Sequence, residues 1–170
     1  MRTIHLPAEE SSHPIFVLLD PLLRGADPDL LLDFSRPRHR GIVKGPPSFV
    51  LAHSIPATEP PHKTIRITSP HFRGSIQLSV YETNFVSVMD VLSGIHHYLN
   101  RPVGEGTITV HQMNQAEAQF HQRCDRIAEP QARAAEVRAG IKLVDLLGGV
   151  HCFASLAWVE GNVLRLRLRR

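Results

Sequence analysis

Thr64-Ile65-Arg66-Ile67-Thr68, then Ser75-Ile76-Gln77-Leu78-Ser79-Val80, then Val88-Met89-Asp90-Val91-Leu92-Ser93-Gly94-Ile95-His96-His97-Tyr98-Leu99, decide the fold, because the spacing of their apolar residues changes partway. In the first two runs the aliphatic residues fall at every second position, which puts them on one face of an extended strand. Pro70 and Gly74 supply the turn between the runs, so an antiparallel hairpin is the expectation. From Val88 onward the apolar residues recur at i, i+3, i+4, i+7 and i+11, which is one stripe of an α-helix. Ser87 and Asp90 form a capping box at its start, and Pro102 stops it.

The same signals recur on both sides of this stretch. Thr109 and Gln112 repeat the capping box, and Met113, Ala116, Phe120, Cys124 and Ile127 give a second helix its apolar face. Pro130 opens a third helix, 130–139, which Gly140 is expected to close in a left-handed C-cap. Cys152–Trp158 and Val163–Arg169 around Gly161-Asn162 read as a closing hairpin, with Leu164, Leu166 and Leu168 inward and Arg165, Arg167 and Arg169 on the opposite face. Upstream, Asp29–Phe34 reads as a short buried strand that leaves into the basic loop Ser35–Gly41. The six prolines of 37–61 keep regular structure there short. The order predicts an α+β fold: a mostly antiparallel sheet with two to three helices packed on one face.

The chain has 170 residues, 42% hydrophobic and 21% charged, which excludes a disordered chain, a collagen-like repeat and a disulfide scaffold. We expect a loose, polar N-terminal arm over 1–14 and a single domain over 15–170. Two cysteines outside any Cys-x-x-Cys pair, and an N-terminus without a secretory pattern, predict an intracellular, cytoplasmic setting. No apolar run reaches the roughly 20 residues that span a bilayer, so no membrane association is expected.

The net charge of +3 is unevenly distributed. Residues 1–34 and 82–160 are net acidic, while 35–81 and 161–170 are net basic. Arginine supplies nearly all of the basic charge, and a guanidinium donates two parallel hydrogen bonds to carboxylate or phosphate. Arg36, Arg38, Arg40 and Lys44 in one loop, with Arg165, Arg167 and Arg169 on the terminal strand, are therefore the candidate binding residues.

Across roughly 30–168 the order of landmarks resembles a fungal domain family of unknown function that is common in basidiomycetes. The positions that carry the resemblance are Leu32-Asp33-Phe34, Ala57-Thr58-Glu59-Pro60-Pro61, Val86–Leu92, Ile95-His96-His97-Tyr98-Leu99, Gly140–Gly148 and Phe153-Ala154-Ser155-Leu156. Ala154-Ser155 departs from the family's usual glycine. The resemblance implies a compact domain in an intracellular setting and brings no activity with it.

The sequence holds eleven histidines, the residue suited to proton transfer near neutral pH and to metal binding. His96 borders the apolar stripe of its helix and, with Asp145 or His151, makes the candidate acid–base set of a small enzyme. His151-Cys152 at a strand entry suggests a weaker Cys/His arrangement. Asp145 lies in an aliphatic run and needs a donor such as Arg123 or Arg126. His121 and Cys124 share a helix face, but no further ligands complete a zinc site, so no metal or cofactor is expected. Phosphate-loop, dinucleotide, nucleophile-elbow and His-Glu-x-x-His motifs are absent. The leading expectation is a non-enzymatic module that meets an acidic protein or another anionic partner through its arginines. The alternatives are the histidine-based enzyme and non-specific nucleic-acid binding, the latter without an aromatic or recognition-helix motif.

Overall fold

The alternating runs pair as their spacing dictates. In the computed structural model, which describes residues 18–25, 31–36, 42–44, 52–104 and 109–170 (of Leu31 and 42–44 the backbone alone), they build one four-stranded sheet and two short ladders. The ladders join β1 (Leu18–Leu19) to β4 (Thr58–Glu59) and β2 (Leu31–Leu32) to β3 (Ile42–Lys44). These strands of two or three residues are what the proline-rich 37–61 segment permits. The N-terminal arm and its junction, 1–17, lie outside the described residues.

The main sheet contains β5 (Thr64–Thr68), β6 (Ser75–Ser79), β7 (Cys152–Glu160) and β8 (Val163–Arg169), in the order β6-β5-β8-β7. The two expected hairpins are present, and β8 joins them by pairing parallel to β5, with Ile67 opposite Leu164 and Thr68 opposite Arg165. Because side chains alternate along a strand, Ile65, Ile67, Ile76, Leu164, Leu166, Leu168, Phe153 and Leu156 share one buried face.

Helix α1 (Val88–Leu99) lays Val88, Val91, Leu92, Ile95 and Leu99 on that face. Ser87 and Asp90 exchange both capping-box bonds as the sequence predicts. A Cβ on Gly94 would stand 2.3 Å from Leu78 Cδ2, so the bare backbone there brings the helix close to β6. Helix α2 (Val110–Asp125) starts at the Thr109–Gln112 box, and α3 (Pro130–Ala139) packs beside it. A 3-10 turn, Leu143–Leu147, lies between α2 and α1 and buries Val144 and Leu147.

Gly140 ends α3 with φ 71° and ψ −163°, not in the left-handed helical conformation expected of it. The chain must leave extended towards Lys142, whereas Gly148, at φ 60° and ψ 35°, takes the left-handed cap of the 3-10 turn. The turn at 21–25 reaches the outer edge of β7, where Leu156 N donates to Leu23 O. A Cβ on Gly25, at φ 70°, would stand 2.0 Å from Ala154 O, so this approach requires glycine.

Candidate functional site

The sheet's second face is set by the same alternation. It presents Ser75, Gln77, Ser79, Thr64, Arg66, Arg165, Arg167 and Arg169, all exposed, with Thr68, Ser155 and Ala157 half-buried between them. Arg165 sits opposite Ala157 and beside Thr68, and Arg167 sits opposite Ser155. Between Glu160 at the hairpin end and Asp33 at the far end, the strands of this face carry no carboxylate. Two basic segments far apart in the chain thus meet on one surface, Arg66 from the first and the β8 arginines from the second.

The far end of the face is a corner built by backbone pairing. Asp33 forms an antiparallel bridge with Cys152, and Phe34 N donates to His151 O over 3.1 Å. Asp33, His151 and Cys152 each present a donor atom, all within 4.8 Å of one another. His151 Nε2 lies 3.4 Å from Asp33 Oδ1. The Asp33 carboxylate is held from behind: Ser35 N and Ser35 Oγ donate to Oδ1 over 2.9 and 2.6 Å, and Arg36 Nε donates to Oδ2 over 3.1 Å.

Burial pushes the Asp33 carboxyl up, but the Ser35 hydrogen bonds, the His151 charge and Arg36 outweigh it, so its pKa falls below the usual carboxylate value. Burial is also the largest effect on His151 and lowers its pKa despite Asp33, so near neutral pH the pair is imidazole beside carboxylate and not an ion pair. Burial, then Asp33, push the Cys152 thiol up against the charges of Arg169, Arg126 and Arg36. Three guanidiniums from three parts of the chain therefore act on this corner.

The other two acid–base candidates, His96 and Asp145, are engaged elsewhere. His96 Nε2 lies 2.9 Å from Arg36 O, and the neighbouring Asn100 Nδ2 donates to Phe34 O over 3.0 Å, so α1 braces the 34–36 segment. Asp145 is buried and faces Arg123 with both oxygens, at 2.8 and 2.7 Å, while Oδ2 also accepts from Lys142 N over 2.9 Å. Arg123 further donates to Glu136 and to Gly140 O, and Lys142 Nζ donates to Glu136. The carboxylate beside His151 is therefore Asp33, a residue that spacing alone did not single out for chemistry. Its one sequence signal is position: an acid at the end of a short apolar strand, followed by Ser-Arg.

Of the loop cations, Arg36 reaches the corner; Arg38 and Arg40 lie outside the described residues, as does the Lys44 side chain. Cys124 is buried on the apolar side of α2, and its thiol pKa is raised by burial. Among the described residues, His121 and Cys124 are not part of a three-ligand grouping. No helix is long and apolar enough to cross a membrane among those residues. A family model described as "Family of unknown function (DUF6699)" matches residues 27–163. No curated protein and no solved structure matches the chain.

Proposed function

The chain belongs to the DUF6699 family of unknown function, and we propose that it is a binding module that docks an acidic, extended protein segment on the arginine face of its sheet. The observation that supports this is the row Arg165, Arg167 and Arg169 beside Arg66, on strands that carry no carboxylate other than Glu160 at the hairpin end. A structural arginine row ordinarily has acidic neighbours across the strand; here the neighbours are Ser155, Ala157 and Thr68.

Alternate residues on a strand stand roughly 6.7 Å apart. That is also the spacing of alternate side chains on an extended partner, so carboxylates at every second position of such a segment match the row. Nucleic acid fits less well, because the face offers no aromatic side chain on which a base could stack. The two free cysteines and the family landmarks support an intracellular protein of fungal origin.

The test is fluorescence anisotropy of a labelled peptide with alternating glutamates, titrated with the full chain at low and at physiological salt. Binding should weaken as salt rises and disappear in the Arg165→Glu/Arg167→Glu variant while its circular dichroism is unchanged. A labelled single-stranded RNA of equal charge serves as the comparison. No peptide binding at low salt, or tighter binding of the RNA, overturns the proposal.

A further inference from the structure

We propose that Asp33, His151 and Cys152 form a three-ligand site for a divalent transition-metal ion of the zinc type, with a fourth position open to an anion. The site goes beyond the docking face and is tested apart from it.

The donor set comes first. A carboxylate oxygen, an imidazole nitrogen and a thiolate sulfur together suit a borderline-soft ion, and three protein ligands with one open position are the pattern of exchangeable or catalytic zinc. Zinc bonds of about 2.0–2.2 Å to nitrogen and oxygen and about 2.3 Å to sulfur, at tetrahedral angles, set ligand-to-ligand distances of roughly 3.4–3.6 Å. All three donors lie within 4.8 Å of one another, and His151 Nε2 stands 3.4 Å from the near edge of the Asp33 carboxylate. Closing the site thus shortens the longest donor-to-donor distance by at most about 1.4 Å, with the backbone held by the Asp33–Cys152 bridge and the Phe34–His151 hydrogen bond.

The outer contacts fit as well. An ionised carboxylate has about four acceptor sites. Ser35 N and Ser35 Oγ take both sites on Asp33 Oδ1 and Arg36 Nε takes one on Oδ2, so the site left for an ion is on Oδ2. These donors fix the carboxylate's orientation in the way outer-shell partners do at metal centres. Charge also closes: Zn²⁺ balances the Asp33 carboxylate and a Cys152 thiolate, and the thiol proton leaves to solvent as the sulfur–metal bond forms. The positive charges of Arg169, opposite Cys152 in the ladder, and of Arg36, bonded to Asp33, then favour an anionic fourth ligand, such as a carboxylate.

The experiment uses the full chain, purified in chelator, exchanged into metal-free buffer and titrated with Co²⁺. Tetrahedral cobalt bands with a thiolate-to-cobalt charge-transfer band should appear, and Zn²⁺ should displace them. The charge-transfer band should vanish in Cys152→Ser, persist in Cys124→Ser, and require at least about tenfold more Co²⁺ in Asp33→Asn. Wild-type protein that keeps its native Trp158 emission and shows no band overturns the proposal; so does a band that survives Cys152→Ser. No acidic partner is present, so failure here leaves the docking face standing, and failure of the peptide titration leaves this site standing.

Discussion

Arginine and carboxylate meet in two regions of this molecule, and the regions differ in whether their charges close. Behind α2, Arg123 and Lys142 face Asp145 and Glu136, two of each sign, and nearly every donor has an acceptor. Arg123 and Asp145 are 4% and 2% exposed, and such burial is tolerable only for a pair that also satisfies its remaining hydrogen bonds. The network ties α2, α3 and the 3-10 turn together. At the end of the sheet, by contrast, Arg36 pairs with Asp33, Arg169 stands opposite Cys152, and the row continues along β8, whose own residues carry no carboxylate. A closed set of charges does structural work. An open set carries a surplus that an outside anion can meet.

The largest effect that would break this contrast is on the closed set. Asp145→Ala removes both Arg123 contacts and the cap on Lys142 N, and leaves a buried guanidinium with Glu136 and Gly140 O alone. The expected loss is about 3–5 kcal/mol, measured by urea denaturation followed through Trp158, the one tryptophan. A loss under about 1 kcal/mol would mean that the network is dispensable and the contrast empty.

Asp33 should cost less, because it too serves three donors but its one guanidinium, Arg36, is half in solvent where Arg123 is buried. Asp33→Ala strands Ser35 N and Ser35 Oγ in a buried setting and is expected to cost about 1–3 kcal/mol. Asp33→Asn keeps an acceptor and should recover most of that stability. If the two variants are equally destabilised, the charge of Asp33 matters to folding more than its hydrogen bonds do, and the corner belongs with the closed set.

The closed region was largely legible in the sequence and the open one only in part. Helical and strand periods, both capping boxes and the hairpin at Gly161-Asn162 are local signals, and a charged residue inside Leu-Val-Asp-Leu-Leu announces its need for a donor. Arg123 was among the donors that reading supplied. The alternation along β8 also placed its arginines on one face. Nothing local, however, brings Asp33 to His151 and Cys152: they lie near opposite ends of the chain and meet through one isolated bridge and the Phe34–His151 hydrogen bond, too short a pairing to carry a period. The pairing expected of His96 with Asp145 or His151 is likewise a matter of register and not of any local signal.

Helix starts lie between the two sets, as local features with moderate energies. Ser87→Ala removes the side-chain acceptor for Asp90 N and the donor to Asp90 Oδ2, and should cost about 1 kcal/mol. Ser87→Asp, which restores an acceptor, should cost less by the same denaturation assay. An equal cost would place the contribution of Ser87 in its burial and not in the cap.

The smallest expected effect is the most telling for the open set. Arg165 and Arg167 face Ala157, Ser155 and Thr68 and have no carboxylate among these neighbours, so replacing both with glutamine removes no structural pair. It also removes repulsion between two cations roughly 6.7 Å apart on one strand. Stability should change by no more than about 0.5 kcal/mol, with any change towards greater stability at low salt and shrinking as salt is added. The exposed Arg133–Asp125 pair, 52% and 64% exposed, gives the control: Arg133→Gln should be similarly mild, but with a small loss that salt also erases. If Arg165→Gln/Arg167→Gln instead costs more than about 1 kcal/mol, the row is held by contacts within the fold, and its charge is no longer surplus available to a partner.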